Sequence, residues 1–169
     1  MHSIAEFMDP TNVMMLKLFV AMLVGGVIGT ERAILARQTA GTRTFGLVAL
    51  GACLFVIVGN YVNTAFTGVG DVQPTYMASA IITGIGFLGG GLIIFHHQSL
   101  HGITTAAGLW ITAAIGMAIG FGLYSVSIFA ALLALIMFTG MWYIENKFKE
   151  WFADHTLDQR PESQQIPMQ

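Results

Sequence analysis

ITTAAGLWITAAIGMAIGFGLYSVSIFAALLALIMFTGMWYI, residues Ile103 to Ile144, contains no charged side chain. As one helix it would be about 60 Å long, twice the thickness of a bilayer's hydrocarbon core. The chain must therefore turn back within it, and Gly120-Phe121-Gly122 is the natural place. The stretch predicts two antiparallel membrane helices, one from about Thr104 to Gly122 and one from about Ser125 to Ile144.

The same reading extends towards the N-terminus. Between Arg43 and Glu145 the one full charge is Asp71. Soluble domains carry about 25% charged residues, whereas this chain of 169 residues is 9% charged and 55% hydrophobic. Three more apolar runs, Val13–Thr30, Thr44–Val62 and Tyr76–Phe95, each approach the length of one crossing. They are too long and too evenly apolar for barrel strands, and a helix satisfies its own backbone in lipid. The expected fold is an all-α polytopic bundle of five transmembrane helices over residues 13–144, with the lipid bilayer as its solvent.

Orientation follows from the arginines. Arg32, Arg37 and Arg43 lie between the first two runs and place that connection in the cytoplasm. Five crossings then put the N-terminal segment 1–12 and the Asp71 loop outside. The His96–Ile103 loop and the C-terminus, with Lys147 and Lys149, fall inside. Both basic clusters thus share one side, which four crossings would not give. The residues before the first run are acidic and lack a convincing cleavage site, so that run reads as a permanent span. Ile144, Phe148, Trp151 and Phe152 recur at helical spacing among charges, which predicts an interfacial amphipathic helix over 145–153. The polar tail 154–169, with Pro161 and Pro167, reads as disordered.

Glycine dominates the spans. Gly25/Gly29, Gly86/Gly90 and Gly116/Gly120 are small-residue pairs at four-residue spacing, which let helices approach closely, within one chain or across a homo-oligomer. The run Gly84-Ile85-Gly86-Phe87-Leu88-Gly89-Gly90-Gly91 is a stronger signal. Each glycine costs a helix roughly 1 kcal/mol relative to alanine. A span that tolerates this uses the bare backbone for tight packing, or for a break facing an ion or a wet cavity.

The polar candidates are few. Lys17 lies near the outer end of the first span, where it snorkels, faces a cavity or pairs with Asp71. Glu31 and Arg32 end that span as a solvated terminus or as a buried pair across to Arg43. Thr42, Thr44, Thr104 and Thr105 gather on the inner side, where their hydroxyls cap helices or bond across them, and Thr104 is placed to cap the fourth span. His97 and His101 would share a helical face, a weak metal spacing near His96. Cys53 is the single cysteine, so no intrachain disulfide forms. The net charge of −2 gives no reason to expect nucleic acid as a partner. No nucleophile elbow, phosphate loop or carboxylate pair points to an enzyme, and no cofactor is expected.

Together these blocks resemble the MgtC/SapB family of bacterial inner-membrane proteins. The likeness is carried by Gly26-Val27-Ile28-Gly29-Thr30-Glu31-Arg32 and by Ala40-Gly41-Thr42-Arg43-Thr44 leading to Val48-Ala49-Leu50-Gly51-Ala52. It continues in Gly84 to Gly91, Gly102-Ile103-Thr104-Thr105-Ala106-Ala107-Gly108-Leu109-Trp110 and Ala113 to Gly120. Thr30 and Thr42 stand where the family usually has leucine, and Gly90 where it usually has alanine. The best-known members carry a soluble C-terminal domain, and here about 25 residues follow the last span. The resemblance implies a multi-pass inner-membrane protein tied to adaptation to low magnesium and, in pathogens, to survival in host cells. It implies a regulator of other membrane complexes, such as the F-type ATP synthase, more than a transporter. The residues leave open the alternative of a transporter or channel for Mg²⁺ or another small ion, built on Lys17, Glu31, Arg43 and the glycine run. The chain is poor in the oxygen ligands a dedicated magnesium site needs.

Overall fold

The computed structural model describes residues 9–34, 40–65, 74–96 and 99–157. They form α1 (Pro10–Ile34), α2 (Thr42–Ala65), α3 (Pro74–Leu92), β1 (Ile94–His96), β2 (Ser99–His101), α4 (Ile103–Gly120) and α5 (Tyr124–Leu157). The fold is all-α apart from the small β1–β2 hairpin. Four helices are long and apolar enough to cross a membrane: α1, α2, α4 and the Tyr124–Lys149 part of α5. The apolar part of α3, Tyr76–Leu92, is shorter. At 1.5 Å per residue it is about 26 Å long, a few Å less than the hydrocarbon core.

Local chemistry sets the helix ends. α1 begins with an Asp9 cap, whose Oδ1 accepts the Thr11 N–H at 3.0 Å, and Pro10 follows at the position that needs no N–H. α3 ends at Leu92, short of Phe95, where hydropathy alone places the end. Gly89, Gly90 and Gly91 have the weakest helix propensity of any residues but proline. Just beyond them the Ile93 N–H donates to the Gly90 carbonyl at 3.3 Å, a tightened last turn. The glycine run therefore occupies the second half and end of α3, not the middle of a longer span.

The chain next forms an antiparallel hairpin, pairing Ile94 with His101, Phe95 with Leu100 and His96 with Ser99. Gly102 follows with φ +89°, and a Cβ there would collide with the Leu92 carbonyl. Only glycine fits this joint between α3, the hairpin and α4. Gly102 caps α4 with no side-chain hydrogen bond. Thr104, expected to be that cap, lies inside the helix and is exposed.

The α4–α5 reversal falls at Phe121-Gly122, as the sequence requires. Gly122 has φ +81°. Its N–H donates to Ile119 O at 2.9 Å, and the Leu123 N–H donates to Ala118 O at 2.8 Å. This is a Schellman closure. The core lies between α1, α2 and α4, around Ala21, Ile28, Phe45, Ala49, Leu109 and Ile115. α3 packs on α4 and α2, and α5 packs on α4 and α1. α5 runs without a break past Ile144 and Asp154 to Leu157. The amphipathic segment is thus helical and continuous with the last span. Asp71, His97 and residues 158–169 lie outside the described residues.

Candidate functional site

Two of the three glycine pairs are taken up inside the chain. A Cβ on Gly25 would lie 2.6 Å from the Phe45 carbonyl oxygen, and one on Gly29 would lie 2.7 Å from that of Gly41. Both glycines let α1 rest directly on the backbone of α2. A Cβ on Gly116 would run into the Ala49 backbone, and one on Gly120 would lie 2.8 Å from Val56 Cβ. These bring α4 equally close to α2. Backbone-to-backbone approach of this kind is what small residues supply in lipid.

The third pair behaves differently. Cβ atoms on Gly84, Gly86, Gly90 and Gly91 would meet nothing within 4 Å. Only Gly89 approaches a neighbour, with Ala106 Cβ at 3.5 Å. Ser79, Thr83, Gly86 and Gly90 follow one another at steps of four, three and four residues, which places them on one face of α3. All four are exposed. The two hydroxyls are spent on their own helix: Ser79 donates to Tyr76 O at 2.7 Å and Thr83 to Ser79 O at 2.9 Å. The stripe is therefore smooth, free of polar demands and uncovered by any described residue. Phe87, 83% exposed, stands beside it. On the other side of α3, an apolar groove of about 550 Å³ opens against α2, with Gly51, Phe55, Met77, Ile81, Gly84 and Leu88 among its lining.

The polar candidates separate by end of the bundle. Lys17 reaches across to α4, where its Nζ donates to the Gly120 carbonyl at 3.0 Å. A cation at a helix C-terminus meets carbonyls that lack a partner within the helix. At the opposite end Glu31 is 9% exposed and Arg32 is 5% exposed. The Thr139 hydroxyl donates to Glu31 Oε1 at 3.4 Å, and the Arg32 guanidinium lies 4.7 Å from the centre of the Phe138 ring. Arg43 is exposed on the first turn of α2, so a buried Glu31–Arg43 pair does not form. Thr105 is buried and Thr104 exposed.

His101 sits in β2, so the helical spacing assumed for it with His97 does not apply. Among the described residues no three His, Cys, Asp or Glu side chains gather to hold a metal ion.

Sequence reasoning missed the two α5 partners of Glu31 and Arg32. Thr139 and Phe138 lie more than 100 residues from Glu31 and Arg32, and nothing local points to them. Thr30 and Thr42 bond to each other across α1 and α2 at 2.9 Å, and Thr30 also donates to Gly26 O at 2.8 Å. A signal for this pair existed. Thr42 stands among the inner-side threonines whose hydroxyls can bond across helices.

The chain is similar in sequence to known proteins. The model of the MgtC family matches residues 18–147. YhiD of Escherichia coli K12, described as a candidate magnesium transporter, is 38% identical over 124 residues, covering 72% of this chain and 57% of YhiD. The protein MgtC of Brucella abortus is 45% identical over 105 residues, covering 62% of this chain and 41% of that protein. The protein SrpB of Synechococcus elongatus is 38% identical over 134 residues, covering 73% and 72%. The chain spans about half the length of the first two relatives. No solved structure matches it.

Proposed function

This chain belongs to the MgtC family of membrane proteins, and on that premise we propose that it regulates partner membrane proteins during adaptation to low magnesium or host-associated stress. In this reading all five helices cross a bacterial inner membrane, with the N-terminus outside and the C-terminus cytoplasmic. The chain performs no catalysis and acts by helix packing, on a partner complex or on a second copy of itself. One observation carries the proposal: α3 keeps a glycine face that none of the described residues covers. Lipid tails gain little from such a face, whereas another helix gains close van der Waals contact along it. Each exposed glycine costs the free helix roughly 1 kcal/mol, so a covered state is what gives it a use.

The test is a pull-down from native membranes with the wild-type chain and with Gly86→Leu/Gly90→Leu, alongside growth at low magnesium. The proposal expects a membrane complex that comes with the wild type, is missing with the variant, and is needed for growth. Equal recovery and equal growth would refute it.

The second reading, transport of Mg²⁺ or another small ion, is favoured by the description of YhiD. Against it stands the seam between the two polar ends. Lys17 and Glu31 are separated by Ala21 and Ile28, each 0% exposed, and by Leu109 and Ile115 at 2% and 1%. Liposomes holding only this chain decide between the two. The regulatory reading expects no Mg²⁺ flux above empty vesicles, and saturable flux would favour transport.

A further inference from the structure

The groove between α2 and α3 is bounded by contacts that fix both helices. Met77 ties α3 to α2 near one end, where a Cβ on Gly59 would overlap its sulfur. Ile81 and Ile85 pack with Ala52 and Val56 of α2 and with Ala113 and Met117 of α4. Above these contacts a volume of about 550 Å³ stays open. Gly51 of α2 and Gly84 of α3 line it, and a Cβ on either would meet nothing within 4 Å. These two glycines hold a channel open rather than join two helices. None of the lining residues is charged, so the groove offers nothing to an ion or a charged headgroup.

Its dimensions select the occupant. On α3 the groove runs from Tyr76 to Leu88, about 18 Å at 1.5 Å per residue. That is close to one leaflet, half of a hydrocarbon core roughly 30 Å thick. A helix of the same length and about 10 Å across fills roughly 1,400 Å³, so a whole partner helix does not fit. A strip of that length between helices about 10 Å apart covers roughly 180 Å². A stable protein pair buries about 800 Å² on each partner. The rims also keep a second backbone away, because Leu47, Phe55, Tyr76 and Leu88 are each more than half exposed. Spread over its length, the volume gives a cross-section of about 30 Å². A single hydrocarbon chain, with carbons about 4 Å from their neighbours, needs roughly 20 Å².

The surroundings supply such a chain. α2 is long and apolar enough to cross a membrane, and the groove along it is continuous with the lipid. A void there forfeits dispersion contacts on every wall, and a lipid tail restores them. The geometry points to a site for one acyl chain of a bilayer phospholipid, lying along Gly51 and Gly84 with its headgroup at the Tyr76 end. In the groove the chain touches two helices, whereas on an open helix face it touches one, so it is held longer than its neighbours. The site rests on α3 crossing the membrane, as in the proposed function. It uses the other side of α3 from Ser79, Thr83, Gly86 and Gly90.

The experiment places the full chain in nanodiscs of equal parts phosphatidylethanolamine and phosphatidylglycerol. A trace of the phosphatidylethanolamine carries a diazirine in one acyl chain. After irradiation, peptide mass spectrometry maps the adducts. The expected result is adducts around Gly51, Ala80 and Gly84 about tenfold above those around Leu132 and Ile136, which are exposed on α5. Gly51→Leu and Gly84→Leu each fill the groove from one wall, where a Cβ meets open space, and lower the groove adducts about tenfold. Where one variant does not fold, the other serves. Even adducts over the groove and α5, or groove adducts unchanged by the substitutions, overturn the site. So does palmitic acid that suppresses the groove adducts at equal concentration, or a photoreactive residue at Ala80 that captures protein. Ala80→Cys separates this failure from that of the reading beneath it. If the new thiol is protected from a water-soluble maleimide, even adducts sink the site alone; if it reacts fully, the site and the five-span reading fall together.

Discussion

Gly116 and Gly86 are both glycines in small-residue pairs of membrane helices, and they have opposite surroundings. Gly116 is buried against the backbone of Ala49, while the space around Gly86 is open. The first kind, with Gly25, Gly29 and Gly120, is what brings α1, α2 and α4 together. The second kind, with Gly90 and its neighbours Ser79 and Thr83, holds no other element among the described residues. A glycine pair thus states that close approach is possible, and the fold decides whether the chain itself makes the approach. Where the described residues do not make it, the face stays open.

Substitution at Gly116 separates the two kinds most sharply. Gly116→Leu forces a branched side chain into a backbone that cannot move aside. Thermal or denaturant unfolding in detergent should show a loss of about 3 kcal/mol, the upper end of overpacking effects. A variant as stable as the wild type would mean that α2 and α4 are not in this contact. The double substitution Gly86→Leu/Gly90→Leu should do the opposite. Stability should hold or rise, by up to about 1 kcal/mol per glycine removed, while association across α3 falls at least tenfold in the pull-down.

Two smaller effects sharpen the packed side. Lys17→Met removes the hydrogen bond to Gly120 O at the end of α4. It should cost about 1 kcal/mol in the same unfolding measurement. No loss would show that the ammonium prefers water. Thr30 and Thr42 can be examined by a double-mutant cycle to leucine. Their coupling should be near 0.6 kcal/mol, the average for a hydroxyl bond between membrane helices. The double variant, which leaves no hydroxyl without its partner, should fold at least as well as either single one. Strict additivity would show the bond to be incidental.

Much of this was legible beforehand. The charge-free length of Ile103–Ile144 demanded a reversal, and Gly120-Phe121-Gly122, two glycines near its middle, was the natural place for it. The end of α3 was misread because two signals disagree there. Hydropathy continues through Ile93, Ile94 and Phe95, whereas helix propensity fails at Gly89–Gly91, and the backbone followed propensity. The glycine spacing was visible, but Gly25/Gly29 and Gly86/Gly90 look alike in one dimension, and only the packing tells them apart. The surroundings of Glu31 were out of reach for a different reason. Thr139 is 108 residues away, and a lone hydroxyl in an apolar span gives no hint of its partner.

The account rests on α3 meeting another protein along its open face. A photoreactive residue placed singly at Ser79, Thr83, Gly86 and Gly90, with Leu132 and Ile136 on the exposed side of α5 as controls, tests this in native membranes. The account predicts covalent adducts to protein at all four α3 positions and to lipid alone at the two controls. Lipid adducts alone at every position would contradict it.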